Sequence, residues 1–186
     1  MQLDKKKIAI LATHGFEQSE LEIPRDKLKA AGATVHIVSL KAGEIKGWDM
    51  KDWGRPVKVD KTLSQVSADD YDALVLPGGQ INPDLLRIEP EALAFIKDIY
   101  NQKMIVAAVC HAPWLLIETG LAKGRKMTSY KSIKTDVINA GAKWEDSAVV
   151  VDTGVITSRN PGDLDAFSAK VIEEVREGKH NQRSAA

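Results

Sequence analysis

The chain has 186 residues, a length that suits one domain with a hydrophobic core of its own. Its 26 lysines and arginines balance 26 acids, so the formal net charge is zero and a polyanion such as nucleic acid is not an expected partner. A single cysteine closes no internal disulfide, and no stretch approaches the roughly 20 apolar residues of a membrane span, so the expected compartment is the cytoplasm.

In chain order, KIAILA (7–12) reads as a buried strand, and it is too short for the apolar core of a signal peptide. A helix is predicted through DKLKAAG (26–32), with Pro24 suited to its first turn and Gly32 to its C′ position. ATVHIVSL (33–40) is the second strand. Residues 43–60, rich in Gly and Trp, break the rhythm and read as short strands or a hairpin at an edge. Trp48 and Trp53 there stay open between core, pocket wall and subunit contact. ALVLPGG (73–79) is a strand and turn, and a helix from Pro90 carries Leu93, Ile96 and Tyr100 on one face. MIVAAVC (104–110) is the next strand, followed by a helix that stops at Gly120 and another that ends at Gly141. The tract KGRK (123–126) reads as a solvated turn. AVVVDTGVITS (148–158) is a strand pair with its turn at residues 152–154. The last helix starts near Pro161 and repeats Leu164, Phe167, Val171 and Val175 toward a core. Strands alternating with helices predict an α/β fold with a mostly parallel sheet, one domain over residues 1–178, and a polar tail over 179–186.

Three motifs carry chemistry. In AVCHAPW (108–114), Cys110 ends a buried strand with Ala108 and Ala112 two residues to either side. A sharp strand–turn–helix that raises a nucleophile needs small residues at those places, the geometry behind G-x-S-x-G. Helix N–H groups beneath such a thiol would favour thiolate; the competing reading is a small buried hydrophobe. PGG (77–79) ends a neighbouring strand, and the N–H groups of Gly79 and His111 are candidate oxyanion donors. In HGFEQSE (14–20), Glu17 is a candidate acid for the thiol; equally, Glu17 and Glu20 simply occupy the first turn of a helix, where acids are favoured. Because Cys110 and His111 are consecutive, their side chains are expected to diverge.

Together GFE (15–17), ALVLPGG, AVCHAP (108–113), GRKMTSY (124–130), INAGA (138–142), VVVD (149–152) and TSRNPGDL (157–164) resemble the ThiJ/PfpI superfamily, in particular its intracellular protease I and general stress protein branch. The resemblance spans about residues 6–175 and implies a flavodoxin-like three-layer sandwich, assembled as a homodimer or a higher homo-oligomer. It implies a nucleophile at Cys110 with His111 beside it and an elbow glutamate at Glu17. It also implies an acid from the partner subunit that orients the histidine, for which Asp84 in GGQINPDLLR (78–87) is the candidate, with Asp where some relatives have Glu. His14 and Trp114 are candidate substrate-binding residues. Neither cofactor nor metal is expected.

Three functions follow from the resemblance. The first is a cysteine-dependent enzyme of stress protection acting on a small carbonyl compound or a glycated protein, of glutathione-independent glyoxalase or deglycase type. The second is an intracellular cysteine peptidase or amidase. The third, of another class, is a stress chaperone in which Cys110 senses oxidation.

Overall fold

The computed structural model describes residues 2–178. The predicted tail over 179–186 lies outside the described residues.

The chain runs β1 (Lys7–Leu11), α1 (Gln18–Ala30), β2 (Thr34–Ser39), β3 (Glu44–Asp49), β4 (Asp52–Lys58), β5 (Lys61–Thr62), β6 (Ala73–Leu76), α2 (Ile81–Leu86), α3 (Pro90–Asn101), β7 (Ile105–Val109), α4 (Pro113–Glu118), β8 (Lys126–Met127), α5 (Lys134–Asn139), β9 (Lys143–Trp144), β10 (Val149–Asp152), β11 (Val155–Ser158) and α6 (Leu164–Glu177). Seven strands form the central sheet in the order β10-β11-β7-β6-β1-β2-β5, all parallel except β10, which pairs antiparallel with β11.

Side chains alternate across each strand, so one strand feeds two cores. Ala9, Leu11, Leu74, Leu76, Val106 and Ala108 face α3 and α4. Ile8, Ile10, Val75, Ala107, Val109 and Ile156 face α1 and α6. The result is the flavodoxin-like three-layer sandwich. The stripe predicted on the last helix is buried at all four positions, and the β10–β11 turn is made by Thr153 and Gly154, both at positive φ as a two-residue hairpin turn requires.

Two local readings are corrected. The first helix begins at Gln18, so Pro24 lies inside it rather than in its first turn. Pro24 has no N–H to give the Glu20 carbonyl four residues back, and its buried ring holds its place by packing. Residues 43–60 do form a hairpin, β3 with β4, but as a separate two-stranded sheet; β5 takes the edge beside β2. The hairpin docks on the turn before α1, where Trp48 N–H donates to the Phe16 carbonyl (2.7 Å) and Gly15 N–H to the Lys46 carbonyl (2.8 Å).

The strand order places the topological switch between β1 and β6, because the chain leaves these two neighbours in opposite directions. Such sheets bind ligands in the crevice beyond their carboxyl ends at that point. The turns after β1, β6 and β7 carry Glu17, Gly79 and Cys110 to that crevice.

Candidate active site

Cys110 follows β7 with φ +63°, a left-handed conformation that costs a non-glycine residue about 1–2 kcal/mol. Hydrogen bonds on both sides hold it there: its N–H donates to the Ser158 carbonyl (3.0 Å) and its carbonyl accepts from Tyr130 N–H (2.8 Å). The sulfur lines a cavity of about 590 Å³ with Glu17, Glu20, Trp48, Gly79, His111 and Tyr130 among its walls.

The turn after β6 fits only glycine. A Cβ on Gly78 would stand 2.6 Å from Glu20 Oε2 and 2.7 Å from Cys110 Cβ, and one on Gly79, at φ +75°, would stand 2.6 Å from the Gly15 carbonyl oxygen. That closeness lets the N–H groups of Gly79 and His111 point at the sulfur. Asn82, fully buried, ties this turn to the one after β1: its Oδ1 accepts from Thr13 N–H (2.7 Å) and its Nδ2 donates to the Pro77 carbonyl (2.8 Å).

The acid against the sulfur is Glu20, not Glu17. Glu20 is fully buried, accepts from Gly78 N–H at 2.8 Å and hydrogen-bonds Cys110. Burial pushes its carboxyl up to about 8. Glu17 caps α1, lines the cavity half-buried, and is raised by burial and by Asp49. The misassignment follows from the misplaced helix start. With α1 beginning at Gln18, Glu20 joins Leu21, Pro24 and Leu28 on the buried face, and Glu17 falls before it.

The thiol also differs from expectation. It is pushed up, first by burial and then by Glu20, and the two N–H groups do not outweigh this. The helix behind it supplies little: α4 has six residues and starts with Pro113, which has no N–H. At neutral pH the pair therefore retains its protons. A neutral acid at Glu20 spares the sulfur its repulsion and offers an O–H to a thiolate as one forms.

His111 does not diverge from the cysteine: its Nδ1 lies 3.1 Å from Cys110 Sγ, and its Nε2 lies 3.0 Å from Ser132 Oγ. The imidazole stacks on Tyr130 (4.8 Å, 25°) and meets the edge of Trp114 (5.3 Å, 65°); burial lowers its pKa to about 4, so it is neutral at pH 7. Trp114 thus backs the imidazole instead of lining the cavity, and its indole N–H donates to Asp136 (2.9 Å). His14 is exposed outside the cavity, its Nδ1 accepting from Lys46 N–H (3.1 Å). Asp84 is exposed on α2 and does not reach the imidazole of its own chain. The roles of Glu20, Asn82 and Ser132 carry no motif of their own; only the buried position of Glu20 on α1 could have signalled one of them.

A cysteine on a strained elbow, with a proton-bearing carboxyl, an imidazole and paired N–H donors in one cavity, defines an α/β enzyme with a cysteine nucleophile. The chain belongs to the DJ-1/PfpI family, whose pattern matches residues 6–174. It is 45% identical over 168 residues to YraA of Bacillus subtilis, which carries a provisional cysteine-protease name, covering 90% of this chain and 96% of that one. It is 42% identical over 167 residues to Deglycase PfpI of Pyrococcus furiosus, covering 90% and 98%. The solved structure of Drosophila melanogaster DJ-1beta superposes with a TM-score of 0.84 at 31% identity, covering 92% of this chain and 90% of that one.

Proposed function

We propose that this protein is a stress-protection enzyme acting on reactive carbonyls, free 2-oxoaldehydes such as methylglyoxal or their early adducts on protein, without glutathione. We place it in the cytoplasm as a homodimer; no helix among the described residues is long and apolar enough to cross a membrane. The observation that carries the reading is Glu20, a carboxyl that holds a proton near neutral pH against the sulfur that would bear the substrate.

In this mechanism the Cys110 sulfur bonds to the aldehyde carbon as its proton passes to His111 Nδ1, and the N–H groups of Gly79 and His111 receive the oxyanion. Glu20 gives its proton to that oxyanion, which completes the hemithioacetal. The carboxylate so formed takes the proton from C1 and returns it to C2 as the hydroxyl proton moves from the C1 oxygen to the C2 oxygen, which leaves a thioester. Water then hydrolyses the thioester to the 2-hydroxy acid, frees the thiol and returns a proton to Glu20. The test is methylglyoxal turnover by the wild type, Cys110→Ala and Glu20→Gln. Loss of at least about 10²-fold in both variants supports the mechanism, and turnover that survives Cys110→Ala sinks it.

The name of YraA favours a second reading, acyl transfer on a peptide or amide. The same thiol, imidazole and N–H pair would serve it, but that chemistry gives Glu20 no carbon-bound proton to move. Fluorogenic peptide hydrolysis that falls with Cys110→Ala and survives Glu20→Gln would select it.

A further inference from the structure

The mechanism leaves one proton without an exit. His111 takes it at Nδ1, yet this imidazole is a poor place to keep it: at pH 7 a group held at about 4 carries charge only about one time in a thousand. A neutral ring can still pass a proton through if it gives one up at Nε2 while accepting one at Nδ1. That requires an acceptor already in place at Nε2.

Ser132 occupies that place. Its Oγ lies 3.0 Å from His111 Nε2, opposite the 3.1 Å approach of Cys110 Sγ to Nδ1, so sulfur, ring and hydroxyl form one line. Ser132 sits in the short turn Lys131–Ile133 and is exposed, whereas Cys110 and His111 are buried. The line therefore runs from the closed end of the site to water. Its alignment is fixed from the elbow itself: Tyr130, which opens the turn, donates its N–H to the Cys110 carbonyl and stacks its ring on the imidazole. Trp114 also packs on the imidazole, its ring centroid 5.3 Å away, so two aromatic side chains help hold the ring.

We propose that Ser132 is the solvent end of a proton relay, Cys110–His111–Ser132, contained within one chain. As the sulfur bonds to substrate, the S–H proton passes to Nδ1, the Nε2 proton to Ser132 Oγ, and the Ser132 hydroxyl proton to water; the return sequence re-protonates the thiol at release. Each group ends with the number of protons it began with. Ser132 acts through His111 and is a positioning and relay residue. This rests on the reading of Cys110 as the reacting thiol.

The experiment is methylglyoxal turnover in H2O and D2O mixtures by the wild type and by the Cys110→Ala, Ser132→Ala, Ser132→Thr and Asp84→Asn variants. A relay predicts a wild-type rate that falls with deuterium fraction in a curved, several-proton manner. Ser132→Ala is expected to lower kcat at least tenfold with KM within about twofold and to straighten that curve, while Ser132→Thr, which keeps the hydroxyl, recovers most of both. Equal loss in the Thr and Ala variants overturns the relay, as does full activity in Ser132→Ala. So does loss of the curvature in Asp84→Asn with its retention in Ser132→Ala, which would give the histidine to a partner's acid. Turnover that is insensitive to Cys110→Ala removes the functional reading itself, and is thereby distinguished from failure of the relay alone.

Discussion

Glu20 is where stability and function conflict, and Glu20→Gln exposes the conflict. Gln keeps the shape and can still accept from Gly78 N–H, but it cannot ionise. The wild-type carboxyl moves from an ordinary value of 4.5 to about 8 when the chain folds. A group whose folded value lies above its unfolded one stabilises the fold below the unfolded value, and this contribution is lost as pH rises through the folded value. From pH 4.5 to about 8 the unfolded chain releases a proton that the folded chain retains, so wild-type stability falls across that window. At 1.36 kcal/mol per unit the loss comes to about 1 kcal/mol at pH 5 and about 4 at pH 8. Glu20→Gln should therefore gain on the wild type by about 3 kcal/mol between those two pH values, on the order of 10 °C in Tm for a domain of this size.

The difference between the two proteins is the quantity to measure, because His111 adds a slope of the opposite sign. Its value falls from 6.5 to about 4 on folding, so stability tied to it is lost as pH drops through that range. In the wild type the two slopes oppose each other between pH 4.5 and 6.5, and the fall becomes visible above 6.5. Urea denaturation at pH 5, 6.5 and 8, followed by tryptophan fluorescence, gives the comparison directly. Parallel stability curves for Glu20→Gln and wild type would refute the claim that folding holds this carboxyl protonated, and with it the proton shuttle.

The strained elbow predicts that Cys110→Gly is more stable than Cys110→Ala by about 1 kcal/mol in urea denaturation, since only glycine adopts φ +63° without a Cβ penalty. Asn82→Ala leaves Thr13 N–H and the Pro77 carbonyl unpaired in the interior; it should cost about 2–4 kcal/mol and lower kcat at least tenfold as two site turns lose registration. Gly78→Ala forces a methyl against Glu20, Cys110 and the Val109 carbonyl, which should destabilise the fold by about 1–3 kcal/mol in thermal melts and abolish turnover. Glu17→Gln should lose less than tenfold in kcat/KM where Glu20→Gln loses at least about 10²-fold, which separates the two acids in one assay.

The scaffold was legible because its signals are short-range. Continuous apolar runs such as IVAAV mark strands covered on both faces, and the stripe Leu164, Phe167, Val171 and Val175 marks a helix facing a core. The elbow was legible from the small residues around Cys110 and the glycines after β6, since close backbone approach tolerates little else. The acid was misread because Pro24 suits a first turn and so hid six helical residues ahead of it; a buried proline inside a helix rests on packing, which local pattern does not record. The thiol's environment was misread for a related reason. Helix position alone says thiolate, whereas Glu20, ninety residues away in sequence, and burial decide otherwise. The contacts of His111 with Ser132 and of Asn82 with Thr13 join segments that no periodicity links.

These features share a cause. A nucleophile at the switch point must stand where three strands end, so its turn is tight, its neighbours lack side-chain room, and any acid that reaches it is dry. Each condition is unfavourable alone: the left-handed cysteine, the crowded Gly78, the buried Glu20. They persist together because regular structure surrounds them on every side, with β11 holding the Cys110 N–H through Ser158, α1 delivering Glu20 from its buried face, and Asn82 locking the turns of β1 and β6. Dryness is also what makes the chemistry possible. In water Glu20 would be ionised at pH 7 and unable to protonate anything, and a solvated imidazole would compete for the proton instead of passing it on. The stability given up at this elbow and the reactivity proposed for it are therefore one physical quantity, the desolvation of a carboxyl, a thiol and an imidazole in the same crevice.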